Sequence, residues 1–392
     1  MVSSENRKQL KEKMLQDKTP FVLGEVTPPR FNVYDAAGIK AQLEVEGFAC
    51  VAECLNAEER DHARDLLWNH LEGDECPPMT QTRPIGWKRD DVTTWTRGHG
   101  DGLMTSTCHC ESMWFARTRP AVIAGFQAAY QEQDLIAAFD RMSINLPIAT
   151  QNKDVLQRLT ATNHAHGRLN MQELHTHKNS YYDERNGAPF TDFYSIIPLW
   201  DMNQGTGATA VVPGSHKLVP EIQAMRARNW AIEEDVKVFT KKDWYVPNRK
   251  WVGKGEPDED AEQFTSLGLT PCVTNVKAGD MMIFDTALFH AGCAAADPTG
   301  ATGNGTDQLL RAIYIMGMTP TRLKTPRELH ARRLAYELDL PWYPDHDHQH
   351  ITEQVFAQHA SQGGDERSVR QFSKASSAIQ QLVDPTFTGA NT

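Results

Sequence analysis

In the middle of this chain most apolar positions alternate in short runs, the period of strands rather than of helices. Val45, Phe48, Cys50 and Val51 lie in one such run, which predicts a strand over Val45–Val51. Asp192–Trp200, Thr209–Pro213, Val273–Val276, Met281–Phe284 and Leu309–Met316 are further β-prone runs. Polar turns such as Asp201–Gly207 and Lys277–Asp280 separate them. No helical stretch of the βαβ kind stands between them, so the pattern predicts an antiparallel barrel or sandwich. Helical spacing is found on the flanks. Asn56 is placed to cap a helix, Glu59 completes a capping box, and Ala63, Leu66, Leu67 and Leu71 recur on one face. A second helix begins near Pro120 and carries Val122, Ile123, Phe126 and Tyr130, with a short apolar patch after it at Leu135–Phe139. Beyond Pro320 the composition changes to a charged helix over Arg327–Leu338, and Ile351–Ala360 is helical again.

These runs divide the chain into three. Residues 1–38, interrupted by Pro20, Pro28 and Pro29, read as a flexible tail. Residues 39–320 read as the β-rich domain, and 321–392 as a helical extension and tail. Two stretches stand out within the domain. The first, 73–118, is rich in Pro, Gly and Trp and has the character of a lid. The second, 218–270, is an insertion with Trp230, Trp244 and Trp251 that we expect over the barrel mouth.

Composition narrows the function classes. Among 392 residues the formal net charge is −11 and no stretch is strongly basic, which argues against a nucleic-acid footprint. Seven cysteines form no regular framework, so reduced thiols are expected, and Cys108-His109-Cys110 is only a weak zinc signal. The first 18 residues lack an apolar core and no run approaches a membrane span, so the expectation is a soluble, cytoplasmic protein.

The candidate chemistry lies at Glu173-Leu174-His175-Thr176-His177. In an extended strand side chains alternate, so His175 and His177 point to one face. His290, at the end of Gly279–His290, is a distant third imidazole that could close a metal site with open positions. A surface His-x-His pair on a loop is the competing reading. Arg311 sits in the apolar run Leu309–Met316, where an unpaired charge is costly, so a buried anion or a structural carboxylate is expected beside it.

The order of these pieces resembles the phytanoyl-CoA dioxygenase family of iron(II)/2-oxoglutarate oxygenases. The resemblance runs over about residues 43–318. Leu174-His175-Thr176-His177 stands where the family has His-x-Asp, and Gly207 through Val212-Pro213-Gly214-Ser215-His216 is similar to its segment ending in PGSH. Ala278-Gly279-Asp280 through His290 is similar to its strand with the second histidine. The resemblance implies a mainly β fold with flanking helices and a double-stranded β-helix (jelly-roll, cupin-like) core. It implies Fe(II) on His175, His177 and His290, with Arg311 gripping the far carboxylate of 2-oxoglutarate. The partners it implies are molecular oxygen and a small organic substrate, which would be hydroxylated or otherwise oxidised.

This chain departs from the family at His177, where a neutral imidazole replaces an anionic oxygen ligand. In one reading His177 itself is the ligand in an all-histidine site; in a second, Glu173 or Asp183 takes its place. A degenerate, non-catalytic scaffold is the third reading. A halogenase-like site would need a small residue at this position. A nucleobase-modifying oxygenase is a further class on related folds, disfavoured by the acidic charge. His164-x-His166 reads as loop or outer-shell, and the 345–350 run with His346, His348 and His350 as a solvated tail.

Overall fold

The structure is a computed structural model that describes residues 24–73, 88–90, 103–104, 107–145, 192–218, 267–293, 311–342, 348–361 and 371–386. Two sheets form its centre. The larger contains β2 (Arg30–Phe31), β3 (Phe48–Val51), β10 (Met281–Asp285), β7 (Phe193–Pro198), β12 (Arg311–Pro320), β6 (Met142–Asn145) and β4 (Leu103–Met104), in that spatial order, with β5 (Leu135–Ala137) pairing the end of β12. The smaller runs β1 (Gly24–Val26), β9 (Cys272–Thr274), β8 (Thr209–Val211) and β11 (His290–Gly292). All pairs are antiparallel except β1 with β9 and β2 with β3, which are parallel. The mainly β core expected from the alternating runs is therefore present, as two facing sheets with helices outside.

Alternation assigns each strand residue to one of two apolar cores. Along β12, Ala312, Tyr314, Met316 and Met318 join the core under the helices, whereas Ile313 and Ile315 face the space between the sheets. Tyr194, Ile196, Met282 and Phe284 line that same interior, opposite Val211 and Cys272 of the smaller sheet. Arg311 has the parity of Ile313 and Ile315, so it too faces the interior.

Helix α1 (Ala36–Glu46) and helix α2 (Ala57–Glu72) precede α3 (Glu111–Arg117) and α4 (Pro120–Tyr130), and together they cover the outer face. Asn56 and Glu59 form the expected capping box, with bonds of 3.0 and 3.1 Å. The strand expected over Val45–Val51 is shorter than its pattern. Val45 belongs to α1 and is exposed, because Ile39 and Leu43 point inward at i, i+4 and Asp35 caps the helix through the Gly38 N–H. Only after Gly47 does the chain extend into β3.

Three segments at the edges of the expected domain join its structure. Within 24–38, β1 and β2 extend one edge of each sheet and α1 follows directly. A bidentate ion pair fixes this strap. Arg30 Nε and Nη2 donate to Asp280 at 2.7 and 2.9 Å, and the Glu53 N–H donates to the same carboxylate at 2.9 Å. The end of the 73–118 stretch, from Thr107, packs into the core. Thr107, Cys108, His109, Met113 and Trp114 are buried, and α3 packs on α2 and β12. The C-terminal helical extension also packs on the core. Helices α5 (Pro326–Glu337), α6 (His348–Ser361) and α7 (Ser377–Val383) contribute Leu334, Ala335, Val355, Leu382 and Val383 to the main apolar cluster. Buried Arg332 binds carbonyls of Ala137, Leu382 and Val383, tying α7 to β5. These joins were hidden because each segment is short or polar by itself, and only pairing with a remote strand gives it order.

Asp280 is buried and Arg30 about one-third exposed, so the pair is discounted relative to a fully buried one. We expect Asp280→Asn to cost about 2 kcal/mol, seen in urea unfolding as an earlier midpoint, and to expose Arg30 to trypsin. An unchanged midpoint and unchanged cleavage would remove the strap from the list of stabilising elements.

Candidate active site

His290 opens β11, and register places it against its surroundings. It pairs Val211, while Gly292 pairs Thr209, so His290 and Gly292 share the face of Val211 and Thr209. Its ring is buried, stands 4.6 Å from the Phe284 ring, and Phe284 in turn stacks on Tyr194 at 6.3 Å. His290 Nδ1 lies 2.9 Å from the Leu288 carbonyl oxygen. A carbonyl only accepts, so Nδ1 carries a proton and the lone pair of the neutral ring is at Nε2.

Arg311 starts β12, in the larger sheet, and its guanidinium crosses the interior. Nη2 donates to Thr209 Oγ1 on the smaller sheet and Nη1 to Ser143 Oγ on β6, each at 3.3 Å. Its Nε is buried without a hydrogen-bond partner among the described residues, and no carboxylate among them pairs with the guanidinium. Burial pushes it down to about 10, and the neighbouring Cys293 sulfur opposes that shift. A charge held only by neutral hydroxyls keeps its full capacity for an anion. The structural-carboxylate alternative for Arg311 finds no partner among the described residues.

The two groups are neighbours along one ladder. Thr209 faces Gly292, two residues from His290, which is about 7 Å along a strand. Between them the interior is walled by Ile196, Met282, Val211 and Ile313, an apolar setting that strengthens any charge pairing inside it. The arrangement fits a short dicarboxylate with one end at Arg311 and the other toward His290. It fits a nitrogen-bound metal at His290 as far as one imidazole can show.

His175 and His177, with Glu173, Asp183, His164 and His166, lie outside the described residues, as does most of the 218–270 insertion. Among the described residues no group of three His, Cys, Asp or Glu gathers to hold a metal. Cys108 and Cys110 are buried thiols, not a disulfide, and His109 Nε2 is 2.8 Å from the Leu340 carbonyl, so this trio reads as core. Ser143 and Thr209 escaped the sequence reading. Thr209 alternates with Val211 on the interior face, a signal that only the pairing with β11 makes meaningful.

Residues 105–296 match the family described as Phytanoyl-CoA dioxygenase (PhyH). The "Ava biosynthesis cluster protein O" of Aspergillus versicolor is 25% identical over 268 residues, 66% of this chain and 72% of that protein. Among solved structures, GlcNAc Inducible Gene 2 from Candida albicans matches with a TM-score of 0.47 at 14% identity, over 97% of this chain and 84% of that one. EctD from S. alaskensis, with 2-oxoglutarate and 5-hydroxyectoine, matches at 0.41 and 13% identity, over 78% and 82%. The epimerase SnoN, in complex with Fe3+, alpha ketoglutarate and nogalamycin RO, matches at 0.39 and 13% identity, over 73% and 84%. Among the described residues no helix is long and apolar enough to cross a membrane.

Proposed function

We propose, from the match of residues 105–296 to the phytanoyl-CoA dioxygenase family, that this chain is an iron(II)- and 2-oxoglutarate-dependent oxygenase that hydroxylates, or otherwise oxidises, a small organic substrate. The buried Arg311 guanidinium, without a carboxylate partner among the described residues, is the observation that carries the reading. Bound iron and 2-oxoglutarate would supply oxygen activation, with succinate and carbon dioxide as the co-products.

The chain's own residues then have separate tasks. Arg311 binds the far carboxylate, and its planar fork suits two oxygens where a lysine would offer a point charge. Ser143 and Thr209 hold the fork from opposite sheets, so its direction is set before the anion arrives. His290 presents Nε2 to the metal, with the Leu288 carbonyl fixing its tautomer. His175 and His177 complete the ligand set in this proposal. Ile196, Met282, Phe284 and Ile313 exclude water from the interior.

An anaerobic titration of the apo-protein with Fe(II) and then 2-oxoglutarate tests this. A weak visible charge-transfer band from the chelated oxo acid is expected, and its loss in His290→Ala. His177→Asp should keep or raise iron-dependent turnover, since it restores an anionic ligand. Iron binding without the band would point to an all-histidine site that does not use 2-oxoglutarate. No iron binding at all would leave a non-catalytic scaffold.

A further inference from the structure

The segment Pro213-Gly214-Ser215-His216 stands out in the sequence, and its role is not given by the reading of His290 and Arg311. Its contacts are with the turn that leads into His290. The Val212 N–H donates to the Phe289 carbonyl at 2.9 Å, and Ser215 Oγ accepts the Phe289 N–H at 3.0 Å. The Gly214 N–H donates to the Glu46 carbonyl at 2.9 Å and anchors the segment to the end of α1. Both polar backbone groups of Phe289 are thereby held by residues 212–215.

The Phe289 N–H belongs to the same peptide group as the Leu288 carbonyl, and that group is planar. Its N–H points at Ser215 Oγ, and its oxygen lies 2.9 Å from His290 Nδ1. The hydroxyl on one side of the plane therefore sets the direction of the carbonyl on the other, and the carbonyl sets the ring. Ser215 is fully buried, so water cannot readily stand in for its oxygen. Hydrogen bonds at the two ends of one amide also polarise each other, which strengthens the carbonyl as an acceptor.

We propose that Ser215 is a positioning residue for His290, orienting the Leu288–Phe289 peptide and through it the imidazole that faces the metal. The inference rests on the reading of His290 as a ligand. Removal of a group bonded directly to a metal ligand costs about 10–100-fold in metal affinity. Ser215 acts one bond further out, through the Leu288–Phe289 peptide, so a loss at the low end, about 10-fold, is expected for Ser215→Ala.

The test compares the full-length wild type with Ser215→Ala, Ser215→Thr, Ser215→Val and His290→Ala. Cobalt(II) is titrated into each apo-protein and followed by its visible ligand-field absorption. Thr and Val are near-isosteric, so the pair separates the oxygen from the added bulk in a closed site. Ala and Val should both lose cobalt affinity, while Thr stays close to wild type. Ring-15N spectra of the apo-proteins give a second readout, with the His290 signals assigned by their absence in His290→Ala. Wild type and Thr should show the Nδ1–H form, and Ala and Val a mixture of tautomers. Ala and Val variants that bind cobalt like wild type, while His290→Ala does not, would overturn the role of Ser215 and leave the ligand reading standing. If His290→Ala binds cobalt like wild type, the ligand reading falls, and the ring spectra alone decide for or against Ser215. Should Ser215→Ala fail to fold, the Thr and Val pair carries the comparison.

Discussion

Arg311→Met is expected to abolish measurable 2-oxoglutarate binding while making the apo-protein more stable. The two effects have one cause. The guanidinium is buried, and among the described residues its Nε has no partner while the hydroxyls of Ser143 and Thr209 hold its other nitrogens. Burial lowers it to about 10, so in the empty fold the charge is a cost to folding rather than a gain. An anion reverses that balance, because two charge-assisted bonds in an apolar interior outweigh the dehydration of the carboxylate. Methionine fills much of the same volume without the charge. A gain of about 2 kcal/mol in apo stability is the order expected when a buried charge is replaced by an apolar side chain. The loss in 2-oxoglutarate affinity should be about 100-fold or more, from about 3 kcal/mol of charge-assisted bonding. Anaerobic calorimetric titration and urea unfolding read the two quantities separately. Unchanged affinity would take Arg311 out of the site, and a destabilised apo-protein would make it a structural cation.

Gly279→Ala should give the largest loss of stability of any single methyl group discussed for this fold. Gly279 turns the chain from β9 into β10 at φ +85°, and a Cβ there would overlap the Leu55 carbonyl oxygen. The neighbour cannot withdraw, because it is backbone. The Leu55 N–H donates to the Gly279 carbonyl at 2.9 Å, and the Gly279 N–H to Pro198 at 2.8 Å. Left-handed backbone costs an L-residue about 1–2 kcal/mol, and overpacking about 1–3 more, so about 3 kcal/mol is expected in total. Gly268 provides the control. Its φ is +73°, but none of the described residues stands within 4 Å of a Cβ there, so Gly268→Ala should show only the backbone cost of about 1 kcal/mol. Equal losses at the two positions in urea unfolding would mean that the contact with Leu55 is immaterial. Since β10 pairs both β3 and β7, a shift of its first residue would propagate to the Phe284 ring against His290.

The β core was legible because its strands are half-buried twice over, once toward the helices and once toward the interior. Phe193–Pro198, Thr209–Val211, Cys272–Thr274 and Met281–Asp285 were all found from apolar runs in the chain. Arg311 stood out for the opposite reason, as a charge in an apolar strand beside which an anion or a structural carboxylate is expected. The capped helix at Asn56 was legible from a strictly local rule. Short elements were not. Met142–Asn145 and Gly24–Phe31 carry too few alternations to announce themselves, and they are strands only because β12, β9 and β3 complete their hydrogen bonds.

By itself, then, the sequence determined what depends on local period and residue chemistry: a two-faced β core, the capped helix on its flank, and His290 and Arg311 as groups needing partners. The tertiary structure alone decided who those partners are. Ser143 and Thr209 lie 168 and 102 residues from Arg311, and Ser215 lies 74 residues from the peptide it holds beside His290. A hydroxyl has no periodicity and little hydrophobicity, so nothing along the chain marks which cation or peptide it will meet. That pairing is set when two sheets, each in its own register, close over one interior.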